Sequence, residues 1–392
     1  MTRDASTTGH HIFISCGEAS GERYGAELVT ALRQQNPNLR FSALGGAALA
    51  GAGVRMVQSA HEIAVMGLTE VITALPELVA ARRRIWHHLK KEDVDICLPI
   101  DFPGFNLRVA GQAHKLGIPV FYLIPPQLWA WGGWRIGQLK QNVDRVGTIL
   151  PFEEEFYRQE GLEVVPLGHP LMEDYAHYPF DQLCEERESR FHDSELPLII
   201  GLLPGSRKQE VSRLLPVLKV AAKMVQTWLM PRPVSFVVSI APGLKRGPFL
   251  SYVGTGVEIS QEPIPQLMRR LHLALVCSGT ASLEAALAGV PHDLVYLTHW
   301  LNYQIGKRLL RVPRIGLANL ILGKDMVREH VQEDVTPISL AQSILKWVNV
   351  AQARTTFYND ARRLRQMCGQ PGVWQRAATA ILEFLNERSP VG

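Results

Sequence analysis

Residues 197–226 read PLIIGLLPGSRKQEVSRLLPVLKVAAKMVQ. The apolar opening, Leu198-Ile199-Ile200 and Leu202-Leu203, predicts a strand buried on both faces of a parallel sheet. Pro204-Gly205-Ser206 breaks the run. Val211, Leu214, Leu215, Leu218, Val220 and Ala221 then recur on one side of a helix. Strand, tight loop and helix in this order form the repeating unit of a doubly wound α/β sheet. The loop sets Gly205, Ser206 and Arg207 at a helix N-terminus, where free backbone N–H groups and the helix dipole favour an anion. Arg207 adds a planar donor fork suited to phosphate oxygens. An ordinary strand-to-helix turn with a solvated arginine would be written in the same letters.

A second stretch repeats the pattern. Residues 271–287 read LHLALVCSGTASLEAAL, an apolar strand ending in Ser278-Gly279-Thr280 before a helix. Ser278 or Thr280 is placed to cap that helix, and Gly279 would let a ligand approach the backbone closely. Two such loops in one half of the chain suggest two cradles above strand C-termini, where open α/β sheets bind their ligands. A diphosphate is the natural guest. Glu284, one helical turn further in, is placed either to reach ribose hydroxyls or to lie solvated on the helix.

The 392 residues are enough for two domains. With 46% apolar and 20% charged residues the composition is that of a globular protein with sizeable cores. The formal net charge of +4 argues against a dedicated nucleic-acid partner. Five cysteines, an odd number with no CxxC pair, suit a reducing cytoplasm and small buried side chains better than disulfides or zinc. The N-terminal MTRDASTTGHH lacks the apolar core of a signal peptide, and no apolar run reaches the roughly 18 residues of a spanning helix. Any role at a membrane would therefore be peripheral.

In chain order, Ile12–Ser15 is an expected strand, followed by the polar loop Cys16–Glu22 and a helix burying Ala26, Leu28, Val29 and Leu32. Gly17, Gly21 and Gly25 are four apart, which is not the dinucleotide fingerprint. Glu18 and Ser20 would project at the strand end, although Ser20 also fits a helix cap. Residues 65–91 carry an apolar stripe (Met66, Leu68, Val71, Ile72, Leu75, Leu78, Val79) beside Arg82-Arg83-Arg84 and Lys90-Lys91, as either core or a contact with anionic lipid. Asp95–Ile100 is an expected strand, and Asp101 follows it. A half-buried carboxylate there is a candidate general base. It competes with a plainer role, capping a helix over Asn106–Lys115, for which Asn106 is itself a candidate. Asp93-Val94-Asp95 lies before its strand and His87-His88 are adjacent, so neither predicts a metal site. Trp129, Trp131 and Trp134 suit sugar rings, acyl chains or a hydrophobic plug. The charge-rich Tyr175–Leu196 reads as a linker, and the C-terminus reads as two helices broken at Gly369–Gly372.

The motifs SCGEASGERYGAEL, IDFPGFNLRVA, IPPQLWAW, LPFEEEFY…LGHPL, LLPGSRKQEV, CSGTASLEAALAGVP and ANLILG…REHVQEDVTP, in this order over nearly the whole chain, resemble the bacterial lipid-A-disaccharide synthases. The resemblance implies a glycosyltransferase-B fold, two Rossmann-like domains with a deep interdomain cleft. It implies residues 1–172 as acceptor-binding domain, 173–350 as UDP-sugar-binding domain and 351–392 as C-terminal helices packing back on the first. It implies an inverting hexosyltransferase without metal or cofactor that joins UDP-2,3-diacylglucosamine to 2,3-diacylglucosamine 1-phosphate through a β(1→6) link. It further implies peripheral association with the inner membrane, and leaves a homodimer open. By the family pattern, Asp101 matches the catalytic aspartate, while Glu18, Ser20, Arg207, Ser278, Gly279, Thr280, Glu284, Asn319 and Gln332 match substrate-binding positions. The family usually has Asp at Gly104 and Glu22, Ser-Pro at Pro125-Pro126, and Pro at Ala318 and Arg328. The same fold would also serve a UDP-N-acetylglucosamine 2-epimerase, another UDP-sugar transferase, or a nucleotide-sugar-binding protein without catalysis.

Overall fold

The computed structural model describes residues 9–17, 19–60, 75–252, 254–309 and 312–388. Glu18 and most of the apolar stripe at residues 65–79 therefore lie outside the described residues or have no described side chain. The chain divides into two compact units, residues 1–170 with 370–392, and residues 171–369.

The first unit holds seven strands: β1 (His11–Cys16), β2 (Arg40–Gly45), β3 (Arg55–Ser59), β4 (Ile96–Ile100), β5 (Phe121–Leu123), β6 (Arg145–Thr148) and β7 (Glu163–Pro166). They pair in the order β3-β2-β1-β4-β5-β6-β7, each pair parallel. The strand order reverses between β1 and β4, where open sheets leave a crevice above their carboxyl ends. Every residue of β1 and β4 is buried, as helices on both faces require. The last helix, Val373–Arg388, covers one face, with Trp374, Ala377, Ile381 and Phe384 packed among Ile12, Ile14, Phe121 and Leu123.

The second unit holds β8 (Leu198–Leu203), β9 (Val234–Ser239), β10 (Val257–Ser260), β11 (Leu273–Cys277), β12 (His292–Tyr296) and β13 (Glu329–Val331). They are all parallel in the order β10-β9-β8-β11-β12-β13, so the reversal falls between β8 and β11. The helix Lys208–Trp228 buries Val211, Leu214, Leu215, Leu218 and Ala221 as expected. Val220, expected with them, is half exposed, because the buried face passes through Ala221 and Ala222 instead.

Two stretches depart from the sequence reading. Tyr175–Leu196 is no linker. It contains the helix Phe180–His192, which buries Phe180, Cys184, Arg187 and Phe191 within the second unit. Its charged face hid a single buried guanidinium that anchors it. The two C-terminal helices also part company. Ala351–Cys368 stays in the second unit, where Phe357 packs edge-on against Trp347 and His292, and only Val373–Arg388 belongs to the first. The break lies at Gly369 and Gly372, both in backbone conformations that favour glycine.

Candidate functional site

In the first unit the chemistry-bearing residues gather at the reversal point. Asp101 follows β4 directly, and both Asp101 (φ 49°) and Phe102 (φ 50°) hold left-handed backbone conformations. For side chains other than glycine such geometry costs about 1–3 kcal/mol each and persists only where the surroundings impose it. Here the Asp101 N–H donates to the Leu123 carbonyl (3.0 Å). The Asp101 carbonyl accepts from Asn106 Nδ2 (2.8 Å) and the Tyr122 hydroxyl (2.7 Å). The fully buried Asn106 amide also donates to the Ser15 (2.9 Å) and Ile100 (3.1 Å) carbonyls and accepts from Ser15 Oγ (2.6 Å). One side chain thus ties the ends of β1 and β4 to the Asp101 turn. Gly17 is needed for close approach, since a Cβ there would sit 2.0 Å from the Phe102 ring.

This arrangement corrects the capping alternatives. The helix runs Pro103–Lys115, three residues earlier than expected, with Phe102 at its N-cap and no side-chain cap bond. Neither Asp101 nor Asn106 caps it. Ser20 is exposed in the first turn of Ala19–Gln35, inside the helix and not at its cap.

Sequence reading missed Glu153. Its carboxyl group is 2% exposed and accepts from Trp129 Nε1 (3.0 Å), Leu150 N (3.1 Å) and Ile149 N (3.3 Å). Burial raises its pKa to about 7, and the Asp101 charge pushes the same way despite those three donors. The bond to Trp129 seats the aromatic loop. Leu128 and Ala130 form its buried plug, while Trp131 and Trp134 stand exposed.

In the second unit the two glycine loops meet across the reversal between β8 and β11. Gly205 (φ +103°) lies so close to the second loop that a Cβ would come 3.0 Å from Cys277 Sγ and 2.4 Å from the Glu210 carboxylate. Gly279 (φ +142°) has open space where its Cβ would be. It is the N-cap of Thr280–Leu287, which begins with no side-chain cap bond, so neither Ser278 nor Thr280 caps it. The Ser278 N–H donates to the Val295 carbonyl (3.1 Å).

The amides of the first loop are not free, as the sequence reading had them. Ser206 N–H and Arg207 N–H both donate to Glu210 Oε2 (3.2 Å each), and the Arg207 guanidinium pairs with Glu210 Oε1 (3.2 Å). The Glu210 carboxylate holds the position an anionic ligand would take, and Arg207 is otherwise exposed. A glutamate three residues after the N-cap can reach back to the N-cap amide, and the spacing of Arg207 and Glu210 could have shown this. Glu284 is buried, not solvated, and its charge adds to burial in raising the pKa of Tyr175.

Asn319 and Gln332 do not lie open at the crest. Asn319 is fully buried on the helix Leu317–Leu322, facing the turn that leads into β13. Its Oδ1 accepts from Met326 N (2.8 Å) and Val327 N (3.1 Å), and its Nδ2 donates to the Val327 carbonyl and Glu329 Oε1 (2.9 Å each). That fills its hydrogen-bonding capacity. Glu329 in turn accepts from Ile315 N (3.0 Å) and Gly316 N (2.9 Å). Gln332, in a left-handed conformation after β13, pairs both ends of its amide with the Thr298 backbone. Both amides tie down the loops beside β12 and β13.

Two doubly wound parallel sheets, each with its polar loops at its own reversal point, define an α/β protein of the glycosyltransferase-B type. The fold is similar to that of a glycotransferase of kitacinnamycin (TM-score 0.63, 14% identity, 96% of this chain and 99% of that one). It is likewise similar to Staphylococcus aureus MnaA in a co-structure with UDP (TM-score 0.63, 11% identity, 96% and 97%). A family model described as lipid-A-disaccharide synthetase matches residues 12–384. Lipid-A-disaccharide synthases of Syntrophus aciditrophicus (37% identical, 96% of this chain and 98% of that one) and Trichlorobacter lovleyi (35%, 96% and 98%) match nearly end to end. The chain belongs to the lipid-A-disaccharide synthase family, and it is a hexosyltransferase of lipid A biosynthesis.

Proposed function

We propose that this transferase joins UDP-2,3-diacylglucosamine to 2,3-diacylglucosamine 1-phosphate by a single inverting displacement. Asp101 accepts the proton of the acceptor 6-hydroxyl as that oxygen attacks the anomeric carbon. The bond from that carbon to the diphosphate breaks, and UDP leaves with the electron pair. Arg207 and the uncapped helix N-terminus at Gly279 take up the developing negative charge, each such preorganised group being worth a few kcal/mol. Glu210 then yields the Ser206 and Arg207 amides to the diphosphate.

The observation that carries this reading is the backbone of Asp101. A non-glycine residue in a left-handed conformation, secured by Leu123, Tyr122 and Asn106, points to a carboxylate whose direction matters more than local comfort. Among the described residues no helix is long and apolar enough to cross a membrane. Contact with the inner-membrane surface would be peripheral, and exposed Trp131, Trp134 and Trp300 support it. The test is Asp101→Ala assayed with both lipid substrates, following UDP release and disaccharide mass. General-base loss lowers kcat by about two to four decades. Turnover within tenfold of wild type would remove Asp101 from the role.

A further inference from the structure

Behind the Asp101 turn, the helices Leu75–Lys91, Pro103–Lys115 and Ile136–Asn142 of the first unit enclose a groove of about 680 Å³. We infer that this groove is a binding site for the phosphate monoester of the glycosyl acceptor. The inference rests on the proposed reading of the acceptor as a sugar phosphate.

Four cations line the groove, Arg82, Arg108, Lys115 and Arg135, and no carboxylate does. None of the four has an ion pair among the described residues. Several other surface cations of this unit do have partners: Arg55 with Glu92, Lys140 with Glu160, Arg145 with Glu163 and Glu387, and Arg158 with Glu154. A groove that gathers only unmatched positive charge is built for an anion that is not part of the chain.

The details favour a phosphate monoester. Arg82 stacks on Trp86, 4.3 Å from the ring centroid, and its Nε is shielded from solvent with no hydrogen-bond partner among the described residues. That donor is available to a ligand oxygen. Arg135 lies over Trp131 and Trp134 (5.3 and 5.9 Å), which holds its fork in place. Arg108 and Lys115 are seven apart on one helix and share the face between them with Gly111, against which the Asn142 side chain packs. A dianion takes up such forks and point charges together. The volume exceeds that of a phosphate and accommodates the sugar beside it, with indole faces as walls. Pro103 and Gly104, two and three residues after Asp101, belong to the groove lining.

The test is the double variant R108Q/K115Q. Both side chains are exposed, so an unchanged melting temperature confirms the fold. Binding of 2,3-diacylglucosamine 1-phosphate and of its dephosphorylated analogue, both in non-ionic micelles, is followed by tryptophan fluorescence. Wild type binds the phosphorylated ligand at least tenfold more tightly. The variant loses at least tenfold of that preference, while its affinities for UDP and for the dephosphorylated analogue stay within twofold. In turnover its KM for the acceptor rises tenfold or more, with kcat within threefold. No preference in wild type, or a preference retained within twofold in the variant, overturns the site. A second arm uses sedimentation with phosphatidylglycerol and phosphatidylcholine vesicles. Loss of adhesion to the former alone, with the micellar preference intact, assigns the cations to lipid headgroups and also overturns it. A groove-dependent preference without disaccharide formation would instead defeat the proposed reaction and leave the site standing.

Discussion

Glu153 carries a consequence for pH. Its folded pKa, about 7, stands above the ordinary 4.5 because burial disfavours the charged form. Between those values the folded chain holds a proton that the unfolded chain has released. The contribution to stability is therefore full below about pH 4.5 and is lost as pH rises through about 7. At about 1.4 kcal/mol per decade the loss is roughly 3 kcal/mol. His169 acts with the opposite sign in the same unit. Burial lowers it to about 4, so stability there is lost as pH falls from about 6.5 towards 4. Glu153→Gln mimics the neutral carboxyl group and separates the two. The melting temperature of the variant relative to wild type should climb from pH 5 to pH 8, and a pH-independent difference would contradict a raised Glu153.

At the scale of elements, the helix Phe180–His192 depends on one side chain. Arg187 is 2% exposed and donates to the carbonyls of Met268 (2.7 Å), Leu271 (2.9 Å), Ala288 (3.0 Å) and Gly289 (3.2 Å), and to the Tyr178 hydroxyl (3.3 Å). It locks the helix to the turn before β11 and to the turn before β12. Arg187→Met keeps the apolar bulk and orphans those carbonyls, at about 1–3 kcal/mol for each buried group left unsatisfied. The urea midpoint of the second unit should fall by an amount equivalent to several kcal/mol, with partial recovery in Arg187→Lys. A loss under 1 kcal/mol would show that the carbonyls find water instead. In sequence this arginine is one of many charges in a polar stretch. Hydrophobic periodicity has no means of marking a cation whose partners are backbone oxygens 80 to 100 residues away.

For the whole molecule, the path of the chain links the stability of the first unit to its last residues. Val373, Trp374, Ala377, Ile381 and Phe384 complete the core above β1 and β5, and Arg376 donates to the Leu167 carbonyl at 2.7 and 2.9 Å. A chain ending at Gly369 would bare that sheet face, and burying each large side chain is worth about 1.5–3 kcal/mol. Such a truncation should leave the second unit folded, with ligand protection by UDP, while residues 9–170 become open to protease and amide exchange. Protection of the first sheet at wild-type levels would contradict this dependence.

The alternation of apolar strand, glycine-bearing loop and amphipathic helix was legible because buried parallel strands must be apolar on both faces. It determined two doubly wound sheets, and the ordered motifs determined the family. The glycines at 205 and 279 and the carboxylate at 101 were legible too, since tight turns and strand ends demand those residue types. Tertiary structure alone decided which polar groups are already engaged. Glu210 occupies the amides of its own loop, Asn319 is consumed by the turn before β13, and Glu153 is buried beside Asp101. It also decided that Arg82, Arg108, Lys115 and Arg135 share one groove. Periodicity records which face of an element is buried. The partners of a polar side chain are set by packing between distant segments, and a one-dimensional pattern does not carry that information.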